Sequence, residues 1–172
     1  LKVIPSVGID QSGAFLEQGR VLAKAAGLEP RLIEADIYDL PDDVGTFDLV
    51  LVTIGVLNWM PDLGGFFRVI AGLLGPGGHL LVYETHPVME MFDPESDTPH
   101  EPAISYFRTD PLKEEGLISY DGVDHGSGET GYWFIHTLGQ IVTSCATAVM
   151  TITSSREFGY SIREPEYDVY EG

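Results

Sequence analysis

The sequence predicts an α/β fold: a Rossmann-like, doubly wound, mostly parallel sheet with an insertion after the fourth recognisable strand. Three observations predict it. Short apolar segments near residues 7–9, 31–35, 47–53 and 79–84 alternate with stretches of helical period. The core of the 47–53 segment is apolar at successive rather than alternate positions, which predicts burial on both faces, as in a parallel sheet. Gly75-Pro76-Gly77-Gly78 punctuates a helix-to-strand junction sharply.

Val7-Gly8-Ile9 reads as a strand ending at Asp10. Ser12 can cap a helix from Gly13 to Ala26, with Phe15, Gly19, Leu22, Ala23 and Ala26 on one face and Gly27 as its stop. Arg31 to Ala35 is a second strand, ending at Asp36. Phe47 to Thr53 is the third and clearest. Pro61 and Asp62 open a helix with Leu63, Phe66, Phe67, Ile70 and Leu74 on one face, and His79 to Glu84 is the fourth strand.

Residues 85–131 break this rhythm with Pro87, Pro94, Pro99, Pro102 and Pro111. Strand candidates there are Ala103 to Phe107 and Leu117 to Tyr120. The segment is too short for a core of its own and reads as an insertion over the ligand edge of one domain, residues 1–172. Thr137 to Met150 then forms a helix with Leu138, Ile141, Val142, Cys145 and Val149 on one face, and Thr151 to Phe158 is a β-branched strand.

Composition narrows the function. Nine Lys and Arg stand against 27 Asp and Glu, a formal net charge of -18, so no nucleic-acid or membrane-surface partner is expected. Cys145 is the only cysteine, which excludes an intrachain disulfide and a cysteine zinc site and predicts a reducing, cytoplasmic setting with Cys145 in the core. The histidines have no metal-ligand spacing, so no metal is expected. Neither a nucleophile-elbow serine nor a Gly-Lys-Ser/Thr phosphate loop occurs, which removes support for hydrolase and kinase chemistry.

Ligands of an open parallel sheet bind beyond the carboxyl ends of its strands. Three strands end informatively there. Asp10 can accept two ribose hydroxyls, Asp36 can accept from an adenine amino group, and the Thr53-Ile54-Gly55 bend lets backbone approach a ligand closely. Taken singly, each acid reads equally well as a helix cap or a solvated loop end.

Four motifs occur in one order: Val7-Gly8-Ile9-Asp10, Ala35-Asp36-Ile37-Tyr38-Asp39-Leu40-Pro41, Phe47-Asp48-Leu49-Val50 and Leu74-Gly75-Pro76-Gly77-Gly78-His79-Leu80. Together they resemble the class I S-adenosylmethionine-dependent methyltransferases, from Val7 to Glu84 and more weakly from Thr137 to Phe158. The resemblance implies S-adenosylmethionine as cofactor, with S-adenosylhomocysteine as product. It implies Asp10 and the adjacent Gln11 at the ribose, Asp36 and Ile37 at the adenine, and Thr53 and Ile54 at the methionine part. The family's glycine-rich loop belongs after a strand preceding Val7, where only Leu1 to Ser6 stand, and its last antiparallel strand is not recognisable. The chain is therefore expected to be incomplete at both ends.

On the substrate side, His86 lies just past the fourth strand and is the first candidate base; the alternative is a loop histidine that holds the insertion. His136 is a second candidate base, against a capping or packing role. Asn58 and Trp59 can line a pocket for a small-molecule acceptor, although Trp59 serves equally to pack the insertion. Two other functions fit the same acids: a nicotinamide-dependent oxidoreductase and a non-catalytic methyltransferase-like binding module. Apolar edges left bare by missing strands predict a homo-oligomer.

Overall fold

The computed structural model describes residues 3–94, 96–115 and 130–159. Val7–Asp10 forms strand β1, and Gly13–Ala25 forms helix α1. The Ser12 hydroxyl accepts from the Phe15 amide at 3.3 Å, satisfying one orphan donor of the first turn. At the other end Gly27 takes φ 68, and the Leu28 and Gly27 amides donate back to the Ala23 and Lys24 carbonyls. Glycine adopts that left-handed conformation without the clash a Cβ would bring, so the helix stops there.

Strand β2, Arg31–Glu34, returns parallel to β1 with Val7 opposite Arg31 and Asp10 opposite Glu34. Strand β3, Phe47–Val52, leads through a 3-10 turn at Leu57–Trp59 to helix α2, Leu63–Leu73. Asp62 caps α2 by accepting from the Gly65 amide at 2.9 Å. Strand β4, Leu74–Val82, runs parallel to β3 with Leu51 opposite Leu81. It starts earlier than the sequence suggests: Gly75 to Gly78 lie within its irregular first half, beside a register shift between Phe47 and Leu49. Strands β5, Leu112–Glu115, and β6, Thr130–Trp133, pair antiparallel, and helix α3, Leu138–Thr147, opens with a Thr137–Gln140 capping box.

Among the described residues the two parallel pairs, β1–β2 and β3–β4, are not hydrogen-bonded to each other. One core nevertheless joins them. Phe66 and Phe67 of α2 are buried with Ile33 of β2, Val52 of β3, Leu57 and Cys145 of α3, and Val7, Ile9 and Ile141 pack against that cluster. Cys145 is a core residue, as expected.

Several expectations need correction. The β3–β4 pair is buried on the α2 face only; Leu51 and Leu81, side by side on the other face, are 55% and 53% exposed. Apolar residues at successive positions predict two buried faces only where elements exist to cover both. Leu16 is the buried residue of α1, whereas Leu22 is 70% exposed. Ala103 to Phe107 forms turns, not a strand, and Thr151 to Phe158 is exposed and forms no strand among the described residues. β-branched residues favour a strand only when a neighbouring strand and a covering face are available. Leu117 to Tyr120 lies outside the described residues.

Candidate active site

Asp10 is half-buried at the end of β1, and its Oδ1 accepts from the Ser12 amide at 2.7 Å. Among the described residues its Oδ2 takes no hydrogen bond, so the carboxylate keeps one oxygen for a ligand. Gln11 beside it is exposed. Because β1 and β2 run in register, Asp36 stands two residues beyond Glu34, the partner of Asp10. Asp36 is exposed and accepts from the Tyr38 amide at 2.9 Å, while Ile37 packs against the core. The Tyr38 hydroxyl donates to the Asp62 carbonyl at 3.0 Å, tying this loop to the start of α2. Burial, with the nearby Asp62 and Asp36 carboxylates, pushes the Tyr38 phenol above its ordinary range.

The bend after β3 is held by Glu84, which the sequence placed only as the end of the fourth strand. Glu84, two residues past β4, accepts from the Gly55 amide at 2.7 Å through Oε2 and from the Leu57 amide at 2.9 Å through Oε1. Gly55 takes φ 83 there. The only available signal was an acid at a strand end opposite a glycine bend. Thr53 is exposed and Ile54 half-buried on the near side of this clamp.

Above the bend sits an aromatic cover. Asn58, 9% exposed, donates through Nδ2 to the Phe134 carbonyl at 3.0 Å, and the Phe134 amide donates to the Asn58 carbonyl at 2.7 Å. This doubly bonded link fastens the 3-10 turn to the chain after β6. Trp59 meets Trp133 edge to face, with ring centroids 5.4 Å apart. Of the two expected roles of Trp59, the structure shows the packing one, against Trp133 of β6.

Asn58, Glu84, Glu90 and His136 line one narrow cleft. His136 Nε2 lies 2.9 Å from the Met60 carbonyl, and its ring stacks on Phe134. Burial lowers the His136 pKa, and the Met60 and Leu57 carbonyls offset part of that effect. His86 does not line this cleft. Its Nε2 lies 2.8 Å from Glu157 Oε1, and its Nδ1 accepts from the Val88 amide at 3.1 Å. Among the described residues no group of three or more His, Cys, Asp or Glu side chains is placed to hold a metal, and no helix is long and apolar enough to cross a membrane.

Comparison with known proteins agrees with this geometry. Residues 2–82 match the family described as "Methyltransferase domain". The chain is 40% identical over 84 residues to a demethylmenaquinone methyltransferase of Thermus thermophilus, covering 47% of this chain and 36% of the relative. It is 34% identical over 87 residues to one of Staphylococcus epidermidis, covering 49% and 35%. The chain thus spans about a third of the length of these curated relatives. Two solved S-adenosylmethionine-dependent methyltransferases share the fold. That from Mesorhizobium loti has a TM-score of 0.58 at 20% identity, covering 96% of this chain and 71% of that one. That from Clostridium acetobutylicum has 0.58 at 16% identity, covering 84% and 63%. The ordered strand-end acids and the parallel pairs lie within the stretch, just under half of the chain, that is similar to the methyltransferase domain family, and the solved methyltransferases share the fold.

Proposed function

We propose that the protein transfers a methyl group from S-adenosylmethionine to a small-molecule acceptor, with residues 85–131 as the substrate-side insertion. The observation that carries this reading is the pair of strand-end acids, Asp10 and Asp36, on neighbouring strands in register. Asp10 Oδ2 is free to accept a ribose hydroxyl while Oδ1 stays anchored on Ser12. Asp36 accepts from the adenine amino group, and Ile37 flanks the ring. Gln11 borders the ribose, and the backbone at Thr53 and Ile54 lies against the methionine part.

When bound, S-adenosylmethionine supplies a methyl group on a positively charged sulfur. The chain's own task is alignment, which can account for roughly 7–11 kcal/mol of such a barrier. Glu84 fixes the bend that carries Thr53 and Ile54, and the Asn58–Phe134 link fixes the cover above it. Asn58 and Trp59 border the acceptor. His136 is a base only through the nitrogen not turned to Met60, and His86 only once Glu157 has moved off its Nε2. Two of the curated relatives that match are demethylmenaquinone methyltransferases, so a quinone-type ring is one acceptor to try. A buried thiol as the sole cysteine suits a reducing, cytoplasmic setting.

Calorimetric titration of S-adenosylhomocysteine into the wild type, Asp10→Ala and Asp36→Ala tests the assignment. Each variant is expected to lose about 1–3 kcal/mol of affinity. Unchanged affinity removes that residue from the site.

A further inference from the structure

The turn that carries Asp36 is closed by two bonds of its own. The Asp39 amide donates to the Asp36 carbonyl at 2.9 Å, and the Tyr38 amide donates to Asp36 Oδ1 at 2.9 Å. Both lie within the turn, so they give it a shape and not a place in the fold. Exposed turns with only local bonds belong to the least stable parts of a structure.

The Tyr38 phenol supplies the place. Its hydroxyl donates to the Asp62 carbonyl at 3.0 Å and accepts the Asp62 amide at 3.2 Å, 24 positions along the chain. Asp62 caps α2, so the anchor is the start of a helix whose Phe66 and Phe67 lie in the core. The ring reaches this anchor because residue 65 is glycine: a Cβ there would stand 3.2 Å from Tyr38 Cε1. Burial pushes the phenol up, which keeps it protonated and able to donate.

Asp36 spends Oδ1 on the Tyr38 amide, and among the described residues its Oδ2 takes no hydrogen bond. A carboxylate that must be ordered on binding gives up affinity, whereas one fixed beforehand does not. We propose that Tyr38 is the positioning residue for adenine: its hydroxyl, held by the Asp62 backbone, sets the Asp36 carboxylate where it selects a purine bearing an amino group over one bearing a carbonyl. This rests on the reading that Asp36 accepts from the adenine amino group. Tyr38 acts through Asp36 and not on the cofactor.

The probes are S-adenosylhomocysteine and S-inosylhomocysteine, which has a carbonyl in place of the adenine amino group. Both are titrated calorimetrically into the full-length protein. The wild type is expected to favour the adenosyl compound about tenfold or more, and Tyr38→Phe to narrow this to about threefold or less. In an Asp36→Ala background, Tyr38→Phe should change affinity for the adenosyl compound by less than about twofold. A merely structural role would weaken both probes alike and would add its loss to that of Asp36→Ala. The variant is expected to fold: the Asp62 carbonyl keeps the Phe66 amide at 2.9 Å, and water takes the freed Asp62 amide at this exposed contact. Its thermal midpoint checks this. An unchanged preference in Tyr38→Phe, or additive losses in the double variant, overturns the role of Tyr38 alone. Wild-type binding without preference removes Asp36 from the adenine and Tyr38 with it, and no binding of either probe defeats the cofactor reading as well.

Discussion

The carboxylate of Glu84 accepts the backbone amide of Gly55 at 2.7 Å, and so couples the end of β4 to the bend after β3. The second oxygen takes the Leu57 amide at 2.9 Å. The bend is thereby held from within the fold, and its Gly55 and Leu57 amides are spent on the protein itself.

Replacing that carboxylate should loosen the bend. Glu84→Ala leaves the part-buried amides of Gly55, Leu57 and Thr85 to find other partners, and is expected to cost about 1–3 kcal/mol in urea denaturation. Glu84→Gln keeps one acceptor and should cost less. Equal stability of Glu84→Ala and wild type would show that water replaces the carboxylate.

The cover depends on Asn58. Asn58→Ala removes the donor to the Phe134 carbonyl, for an expected loss of about 1–2 kcal/mol. Asn58→Asp should be worse, because a carboxylate then faces a carbonyl. The near-ultraviolet circular dichroism of the Trp59–Trp133 pair should weaken in both, and an unchanged spectrum would separate the cover from Asn58.

His136 gives stability a pH dependence of known sign. Burial holds its folded pKa below the unfolded value near 6.5, so the unfolded chain binds the proton more readily. Its contribution is complete above the unfolded pKa and is lost as pH falls through the folded one. The wild type should therefore lose stability on acidification from neutral pH more steeply than His136→Gln, as urea midpoints across that range would show. Parallel profiles would refute the assignment.

Leu51 and Leu81 form an apolar pair on the bare face of β3–β4. A protein of these 172 residues should self-associate through that face. Light scattering is expected to show oligomers that shrink in the Leu51→Thr, Leu81→Thr double variant. A monomeric wild type would contradict this.

Much of the frame was legible because local chemistry dictates it. Ser12, Asp62 and Gly27 announced helix ends, and the apolar Phe47 to Val52 run announced a strand. The side that each strand buries was less legible, because Leu51 and Val50 look alike until α2 is known to cover only one of them. Thr151 to Phe158 has strand composition but forms no strand among the described residues. Of the candidate site, Asp10 and Asp36 could be placed from their strand ends alone. The grip of Glu84 on Gly55 and that of Asn58 on Phe134 join residues 29 and 76 positions apart, and no local pattern encodes them.

The most direct measurement is calorimetric titration of S-adenosylhomocysteine into the folded, full-length wild-type protein. The predicted result is saturable binding at one molecule per chain. No heat of binding across a range of temperatures, with no shift of the thermal midpoint, would contradict the proposal that this protein uses S-adenosylmethionine.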